Sequence, residues 1–271
     1  MRSCRQALLM LLLLACGQAP AETAMSFGIV PQQSASKLAR LWGPILAHVS
    51  AETGLNIRFA TAPDIPTFER RLAAGEYDFA YMNPYHYTVF HESPGYQALA
   101  KAKEKTIKGI LVVRRDSPVT GLDELAGSTL AFPAPAAFAA SILTRAHLNA
   151  LGIAFQADYV SSHDSVYRAV AKGLYPAGGG VRRTFENLSP EIRAQLRVLW
   201  TTDGFTPHAI AAHPRVERTR ASAVQRALAA MDTTPAGREL VGGLSIPGFE
   251  SAMDADWDDV RRLDIDLLND L

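Results

Sequence analysis

Residues 74–84 read AGEYDFAYMNP, and this stretch decides the class of fold. Gly75 is typical of a residue that ends a helix. The run from Tyr77 to Met82 is short and mostly apolar, which predicts a strand buried on both faces. Pro84 favours the first turn of a helix, where its missing N–H costs nothing. A helix, a buried strand and a second helix in direct succession indicate an α/β protein with a mostly parallel sheet.

The same alternation of strands and helices continues on both sides of this stretch. Short apolar runs alternate with longer segments of helical periodicity, and Gly54 and Gly152 follow two of the predicted helices. The predicted strands cover residues 26–30, 56–60, 77–82, 97–101, 109–114, 129–132, 157–160, 196–200 and 209–212. The predicted helices cover residues 36–52, 65–74, 84–92, 122–125, 136–151, 164–171, 221–231, 236–241 and 256–263. This order predicts mixed sheets flanked by helices.

Residues 1–15 have the features of an export signal. A short basic start precedes an apolar run from Ala7 to Ala15, which is too short for a bilayer span of about 20 residues. The run ends in LLACG at 13–17, a lipobox, which predicts cleavage before Cys16 and lipidation of its thiol. The small residues at 19–21 offer an alternative cleavage after residue 21. The sequence therefore predicts an exported, periplasmic protein, anchored to a membrane by lipid in the first case and soluble in the second.

Cysteine content and charge exclude several kinds of site. The only cysteines are Cys4 and Cys16, so we expect the folded body to contain no disulfide, thiolate metal site or cysteine nucleophile. Lys and Arg number 27, and so do Asp and Glu. This balance creates no overall field that favours nucleic acid or an acidic membrane surface. Any recognition of an anion must therefore be local.

Several segments spread over the chain match the pattern of a known family. They are FGIVP at 27–31, LWGPI at 41–45, AGEYDFA at 74–80 before Asn83 and Pro84, VVRRDS at 112–117, LDELAG at 122–127, SSHDSV at 161–166, and residues 254–263. In order and spacing they resemble the phosphate, phosphite and phosphonate type of ABC-transporter substrate-binding protein.

The resemblance implies a two-lobed fold of the type II periplasmic binding-protein class. Residues 25–110 plus 208–271 would form lobe 1 and residues 111–207 lobe 2, joined by a two-strand hinge that closes the lobes over a ligand. The resemblance further implies a monomer that captures a small oxyanion or organic anion, like phosphate, phosphite or a phosphonate, for an ABC permease.

Two polar segments of lobe 1 follow predicted strands, where ligands of α/β proteins bind. Gln33 follows the first strand, and an ordinary loop with Ser34 as helix cap is the alternative interpretation. Tyr81, Asn83 and Tyr85 lie at the turn after the third strand, where the resembling family presents ligand-contacting groups. A buried aromatic cluster is the alternative for Tyr81.

The starts of two helices in lobe 2 supply further candidates for the ligand site. Ala136 and Ala137 offer backbone N–H groups to an anion. Members of the resembling family that bind phosphonates usually carry serine and threonine hydroxyls at this helix start. Because this chain lacks them, its specificity for a phosphonate is open. His163 matches a histidine that contacts the phosphoryl group in the family, and its imidazole can donate to an anion. Ser162 is a ligand candidate whose favoured role is helix cap.

The second predicted hinge passage adds Thr206 and His208 as candidates. The spacing of the histidines favours no metal site, and we expect no cofactor.

Three functions are compatible with these features. Ligand capture for an ABC importer is the leading hypothesis. The alternative keeps the fold but makes it a periplasmic sensor partner of a membrane histidine kinase. A hydrolase is the third, disfavoured because no G-x-S-x-G, P-loop or H-E-x-x-H motif is present, and we expect no catalytic residue.

Overall fold

The computed structural model describes residues 23–268. The predicted signal peptide, both cleavage sites and the lipidation candidate Cys16 lie outside the described residues. Within 23–268, no helix combines the length and the apolar character needed to cross a bilayer.

Nine of the eleven strands among the described residues overlap the predicted ones, and those at 177–181 and 249–251 are additional. In chain order the strands are β1 (Met25–Ile29), β2 (Ile57–Thr61), β3 (Phe79–Met82), β4 (Gln97–Ala102), β5 (Gly109–Arg114), β6 (Thr129–Phe132), β7 (Gln156–Tyr159), β8 (Ala177–Val181), β9 (Leu196–Thr201), β10 (Ala209–Ala212) and β11 (Phe249–Ser251).

Eight of the ten α-helices among the described residues overlap predicted ones, and those at 182–186 and 190–194 are additional. The helix predicted at 122–125 is a 3₁₀ turn, Asp123–Leu125. In chain order the α-helices are α1 (Ala35–Thr53), α2 (Ile65–Ala73), α3 (Pro84–Glu92), α4 (Thr144–Ala150), α5 (His163–Ala171), α6 (Arg182–Glu186), α7 (Pro190–Ala194), α8 (Arg218–Ala229), α9 (Pro235–Gly242) and α10 (Asp258–Arg261). Gly54 ends α1 in the left-handed conformation, at φ 72°, as its position in the sequence predicts.

Two mixed sheets form the two-lobed type II fold that the sequence predicts. The first has the order β11-β4-β10-β3-β1-β2 and the second the order β7-β6-β8-β5-β9. The chain passes between the sheets twice, from β4 to β5 and from β9 to β10. The two passages pair through reciprocal backbone hydrogen bonds between Ile107 and Phe205, at 2.8 and 3.0 Å. We retain the lobe boundaries given above as a proposal.

The segment after β6 differs from the prediction. In place of one helix over 136–151, Phe138–Leu143 forms a π-helix that continues into α4. The N–H of Ile142 reaches the carbonyl of Ala137, five residues back. Sequence periodicity does not register such a local widening, because a π-helix differs from an α-helix mainly by that hydrogen bond.

Glycines on the second sheet allow the π-helix to approach it. A Cβ at Gly179 would lie 2.0 Å from the carbonyl oxygen of Ala140, and one at Gly109 would lie 2.1 Å from that of Ala139. Side chains at either position would push the π-helix away from the sheet. The glycine run in β8 therefore fixes the position of the backbone that faces the other lobe.

Candidate functional site

The two lobes touch along a seam built from strand ends and helix starts. The backbone N–H of His163, at the start of α5, donates to the carbonyl of Gln32 after β1, at 3.1 Å. The side-chain Nδ2 of Asn83 donates to the carbonyl of Ala136 at 3.1 Å. Asn83 also caps α3, because its Oδ1 accepts from the backbone N–H of His86 at 2.8 Å. These contacts describe a closed arrangement of the lobes.

A cation of the second lobe lies on polar groups of the first. Nη2 of Arg183, in α6, donates to Oε1 of Gln32 at 3.0 Å and to the hydroxyl of Tyr81 at 3.2 Å. Nε2 of Gln32 lies 2.9 Å from Nε2 of His208. An amide nitrogen can only donate, so Nε2 of His208 is the acceptor and the ring is neutral, with its proton on Nδ1. The His208 ring also stacks on Tyr81, with centroids 4.8 Å apart.

Burial and positive charge keep the seam histidines neutral. Burial, assisted by the charge of Arg183, lowers the pKa of His163 to about 3. The same two causes, in the same order, hold the pKa of His208 well below its ordinary value. Neutral imidazoles can still donate one hydrogen bond each, and Arg183 supplies the fixed positive charge. The seam therefore favours an anion without needing a protonated histidine.

A small niche lies at the centre of the seam. Its volume is about 10 Å³, and its wall includes Gln32, Asn83, Ala137 and His163. Nδ1 of His163 is buried without a hydrogen-bond partner. Buried polar atoms without partners are rare and costly in folded proteins. We interpret this nitrogen as a group that meets a ligand when the lobes enclose one.

A larger cavity adjoins the niche on the hinge side. It has a volume of about 280 Å³ and shares Ile107 and Val181 with the niche. Its remaining wall is rich in cations, and comprises Tyr81, Ala102, Glu104, Lys105, Thr106, Lys108, Arg182, Arg183, Glu186, Pro207, His208, Ser245 and Ile246. Niche and cavity together form the candidate site.

Most of the predicted site residues meet at this seam. Tyr81, Asn83, Ala136, Ala137, His163 and His208 line the niche or the cavity or bond across the seam. Gln33 is 5% exposed, and its Nε2 is buried without a partner. The backbone N–H of Ala137 is turned toward the carbonyl of Ala134, at 3.3 Å, so it is less free for an anion than predicted.

Three predicted residues are engaged elsewhere. The hydroxyl of Tyr85 accepts from the backbone N–H of Leu268 at 2.9 Å, in a separate surface groove. Thr206 binds Asp259 and Asp256 through its N–H and hydroxyl, which keeps its polar groups on the first lobe. Oγ of Ser162 accepts from the N–H of Ser165 at 3.1 Å, which is the favoured role of helix cap.

In the loop after β1 the sequence-based prediction selected Gln33 rather than Gln32, and it did not include Arg183. Gln32 precedes the chosen Gln33, and the direction in which each amide points depends on how the loop leaves β1. Arg183 carried a usable signal, because two arginines follow the buried run AGGGV at 177–181, at the end of a strand where ligands bind. Within residues 23–268, no group of three His, Cys, Asp or Glu side chains is arranged to hold a metal ion.

The chain matches the family model described as "ABC transporter, phosphonate, periplasmic substrate-binding protein" over residues 27–257. It is 24% identical over 213 residues to the phosphate-import protein PhnD of Mycolicibacterium smegmatis, an alignment that covers 66% of this chain. The chain spans 63% of the length of that relative.

Two solved structures share the fold. The first is PhnD1 of Prochlorococcus marinus in complex with methylphosphonate, with a TM-score of 0.80 and 14% identity over 89% of this chain and 96% of that one. The second is a binding-protein component of an ABC phosphonate transporter from Pseudomonas aeruginosa, with a TM-score of 0.77 and 16% identity over 90% of this chain and 86% of that one.

Proposed function

This chain belongs to the family of periplasmic substrate-binding proteins of phosphonate ABC transporters, and on that premise we propose that it captures a small oxyanion or organic anion, such as phosphate, phosphite or a phosphonate, for an ABC importer. The observation that carries the proposal is the position of Arg183. This guanidinium of one lobe rests on neutral groups of the other, Gln32 and Tyr81, where an anion could take their place. Family membership favours the importer over the sensor of a histidine kinase.

Closure follows from which lobe supplies each group. Arg183 and His163 come from the second lobe, whereas Gln32, Gln33 and Asn83 come from the first. An anion that bonds to both sets stabilises the closed state, because it interacts with that state more strongly than with the open one. The niche of about 10 Å³ holds about one water molecule, so the lobes must part before a tetrahedral oxyanion enters.

A thermal-shift panel tests this function directly. The purified protein is melted with phosphate, phosphite, methylphosphonate, sulfate, arsenate and divalent metals. A ligand that binds only the native state raises the melting temperature by mass action. We expect a phosphorus oxyanion or phosphonate to raise it and His163→Ala to abolish that shift. If a divalent metal shifts the wild type and none of the anions does, the proposed ligand class is wrong. A shift with sulfate alone would keep an oxyanion as the ligand and exclude the preference for phosphorus.

We further infer that the chain does not catalyse a reaction on its ligand. The seam groups are a guanidinium, neutral imidazoles and amides, and none of the described residues there forms a nucleophile paired with a base. Colorimetric phosphatase and esterase assays should show no turnover. Turnover that copurifies with the protein and is lost in His163→Ala would contradict this inference.

Location and assembly are the last parts of the proposal. We propose that the protein acts in the periplasm as a monomer, delivers its ligand to an ABC permease, and is held to a membrane by a lipid on Cys16. The lipobox supports the anchor. When cells are fractionated, the wild type should be found in the membrane fraction and Cys16→Ser in the soluble periplasmic fraction. Light scattering of the purified protein should give the mass of one chain.

A further inference from the structure

We infer that the ligand carries a second anionic group, and that the cavity on the hinge side binds this group through Arg182, Arg183, Lys105 and Lys108. The inference rests on the proposed function and narrows it from any small oxyanion to a phosphorus oxyanion with an acidic substituent, of which a phosphonocarboxylate is the simplest form.

The first support is the shape of the site. The niche beside His163 is small, and the cavity that adjoins it at Ile107 and Val181 has a volume of about 280 Å³, near the lower end of the range for small-molecule pockets, roughly 300 Å³. A head group at His163 would therefore have its substituent directed past Ile107 and Val181 into the larger space. A ligand without a substituent would leave that space unused.

The second support is the charge of the cavity wall. Four cations line it, and only two carboxylates do, those of Glu104 and Glu186. Among the described residues, none of the four cations has a carboxylate oxygen within 4.0 Å. Arg183 donates to Gln32 and Tyr81, and Arg182 donates to the hydroxyl of Thr201 at 2.9 Å, all neutral acceptors.

Unpaired cations around one concave surface raise the local concentration of anions and select for them. The guanidinium groups of Arg182 and Arg183 are half-buried, so water screens them less than it screens the exposed Lys105 and Lys108. The two arginines are consecutive, and Arg183 also reaches the niche through Gln32. One ligand with two acidic ends can therefore satisfy Arg183 and the cations beyond it together.

The test compares two ligands that share a head group. Isothermal titration calorimetry measures the affinity of the full-length protein for methylphosphonate and for phosphonoacetate, which adds one carboxylate. We expect phosphonoacetate to bind at least about tenfold more tightly, the effect of one charge-assisted hydrogen bond. In the double variant Arg182→Gln/Lys108→Gln, the affinities for phosphonoacetate and methylphosphonate should lie within about twofold of each other.

A matched variant controls for the loss of two positive charges. Lys172 follows the end of α5 that lies away from His163, and Arg218 begins α8; both are exposed, and neither lines the cavity. Lys172→Gln/Arg218→Gln should keep the preference for phosphonoacetate, and thermal melts check that both double variants fold.

Equal affinities for the two ligands in the wild type, or a preference that survives in Arg182→Gln/Lys108→Gln, would overturn this inference and leave the proposed function standing. Failure of methylphosphonate, phosphonoacetate and phosphate all to bind would overturn both.

Discussion

Nη2 of Arg183 lies 3.0 Å from Oε1 of Gln32, so that a fixed cation of one lobe rests on a neutral amide of the other. A guanidinium bonded to neutral acceptors can exchange them for an anion and gain charge-assisted hydrogen bonds. The guanidinium that contributes to this closed arrangement is thus also the group that we propose recognises the ligand.

The substitution Arg183→Gln tests this double role. We expect it to weaken binding of methylphosphonate by about 10- to 100-fold, because it removes a charge-assisted hydrogen bond in a half-buried site. Titration calorimetry measures the change. Arg182→Gln is the matched comparison, since it removes the same charge from a side chain that bonds to Thr201 of its own lobe, and it should weaken methylphosphonate binding less than Arg183→Gln does. Equal losses in the two variants would remove Arg183 from the head-group site.

The pH dependence of stability reports the burial of His163. Its pKa is about 3 in the folded protein against an ordinary value of 6.5, so above pH 6.5 the ring is neutral in both states. Below pH 6.5, His163 becomes protonated in the unfolded chain but stays neutral in the folded one, so the free energy of unfolding falls as the pH drops. Between pH 7 and pH 5 this single group removes about 2 kcal/mol from the free energy of unfolding.

His163→Asn should remove that part of the pH dependence. Urea unfolding of wild type and variant at pH 7 and pH 5 measures it. Burial and Arg183 lower the pKa of His208 in both proteins, so a reduced pH dependence of the same sign should remain in the variant. A wild type and variant with parallel pH profiles would mean that His163 takes up protons in the folded state.

Periodicity and turn chemistry predicted the elements well, because their causes are local. Asn83 followed by Pro84 marks the start of α3, and Gly54 the end of α1, through hydrogen bonds within a few residues. The π-helix was missed because the glycines that leave room for it are distant in sequence, as Gly179 is from Ala140.

In the candidate site, too, positions set by local features could be predicted, and contacts between residues distant in sequence could not. The segments that contain His163 and Asn83 could be predicted because each lies where a helix begins after a strand, and the choice of these two residues within them came from the family resemblance. Tyr85 could not be placed, because its hydroxyl meets Leu268 at the far end of the chain. Gln32 and Arg183 become a pair only when the lobes close.

Lys37 should control how readily the lobes stay closed. Its Nζ, on α1, donates to the backbone carbonyl of Asn187, which follows α6 on the other lobe. Lys37→Met removes this bond and keeps most of the side chain. One such bond is worth about 1 kcal/mol, so we expect the open state to gain about fivefold and the apparent ligand affinity to fall by a similar factor.

Small-angle X-ray scattering and calorimetry measure those two effects of Lys37→Met. Arg40→Met is the control, since Arg40 lies on the same helix, and within the described residues no hydrogen bond joins it to the other lobe. An unchanged radius of gyration and affinity in Lys37→Met would show that the contact does not hold the lobes together.

Gly179 should be required for the position of the π-helix. Gly179→Ala places a Cβ 2.0 Å from the carbonyl oxygen of Ala140 and 2.6 Å from the ring of Phe132, so backbone has to move. We expect a loss of about 3 kcal/mol in the free energy of unfolding. Gly43→Ala is the control, because its Cβ would meet nothing within 4 Å inside α1 and should leave stability unchanged or raise it by up to about 1 kcal/mol. Residues 137–140 line the niche, so Gly179→Ala protein that still folds should bind methylphosphonate more weakly. If its stability and affinity equal those of Gly43→Ala, the π-helix does not depend on this glycine.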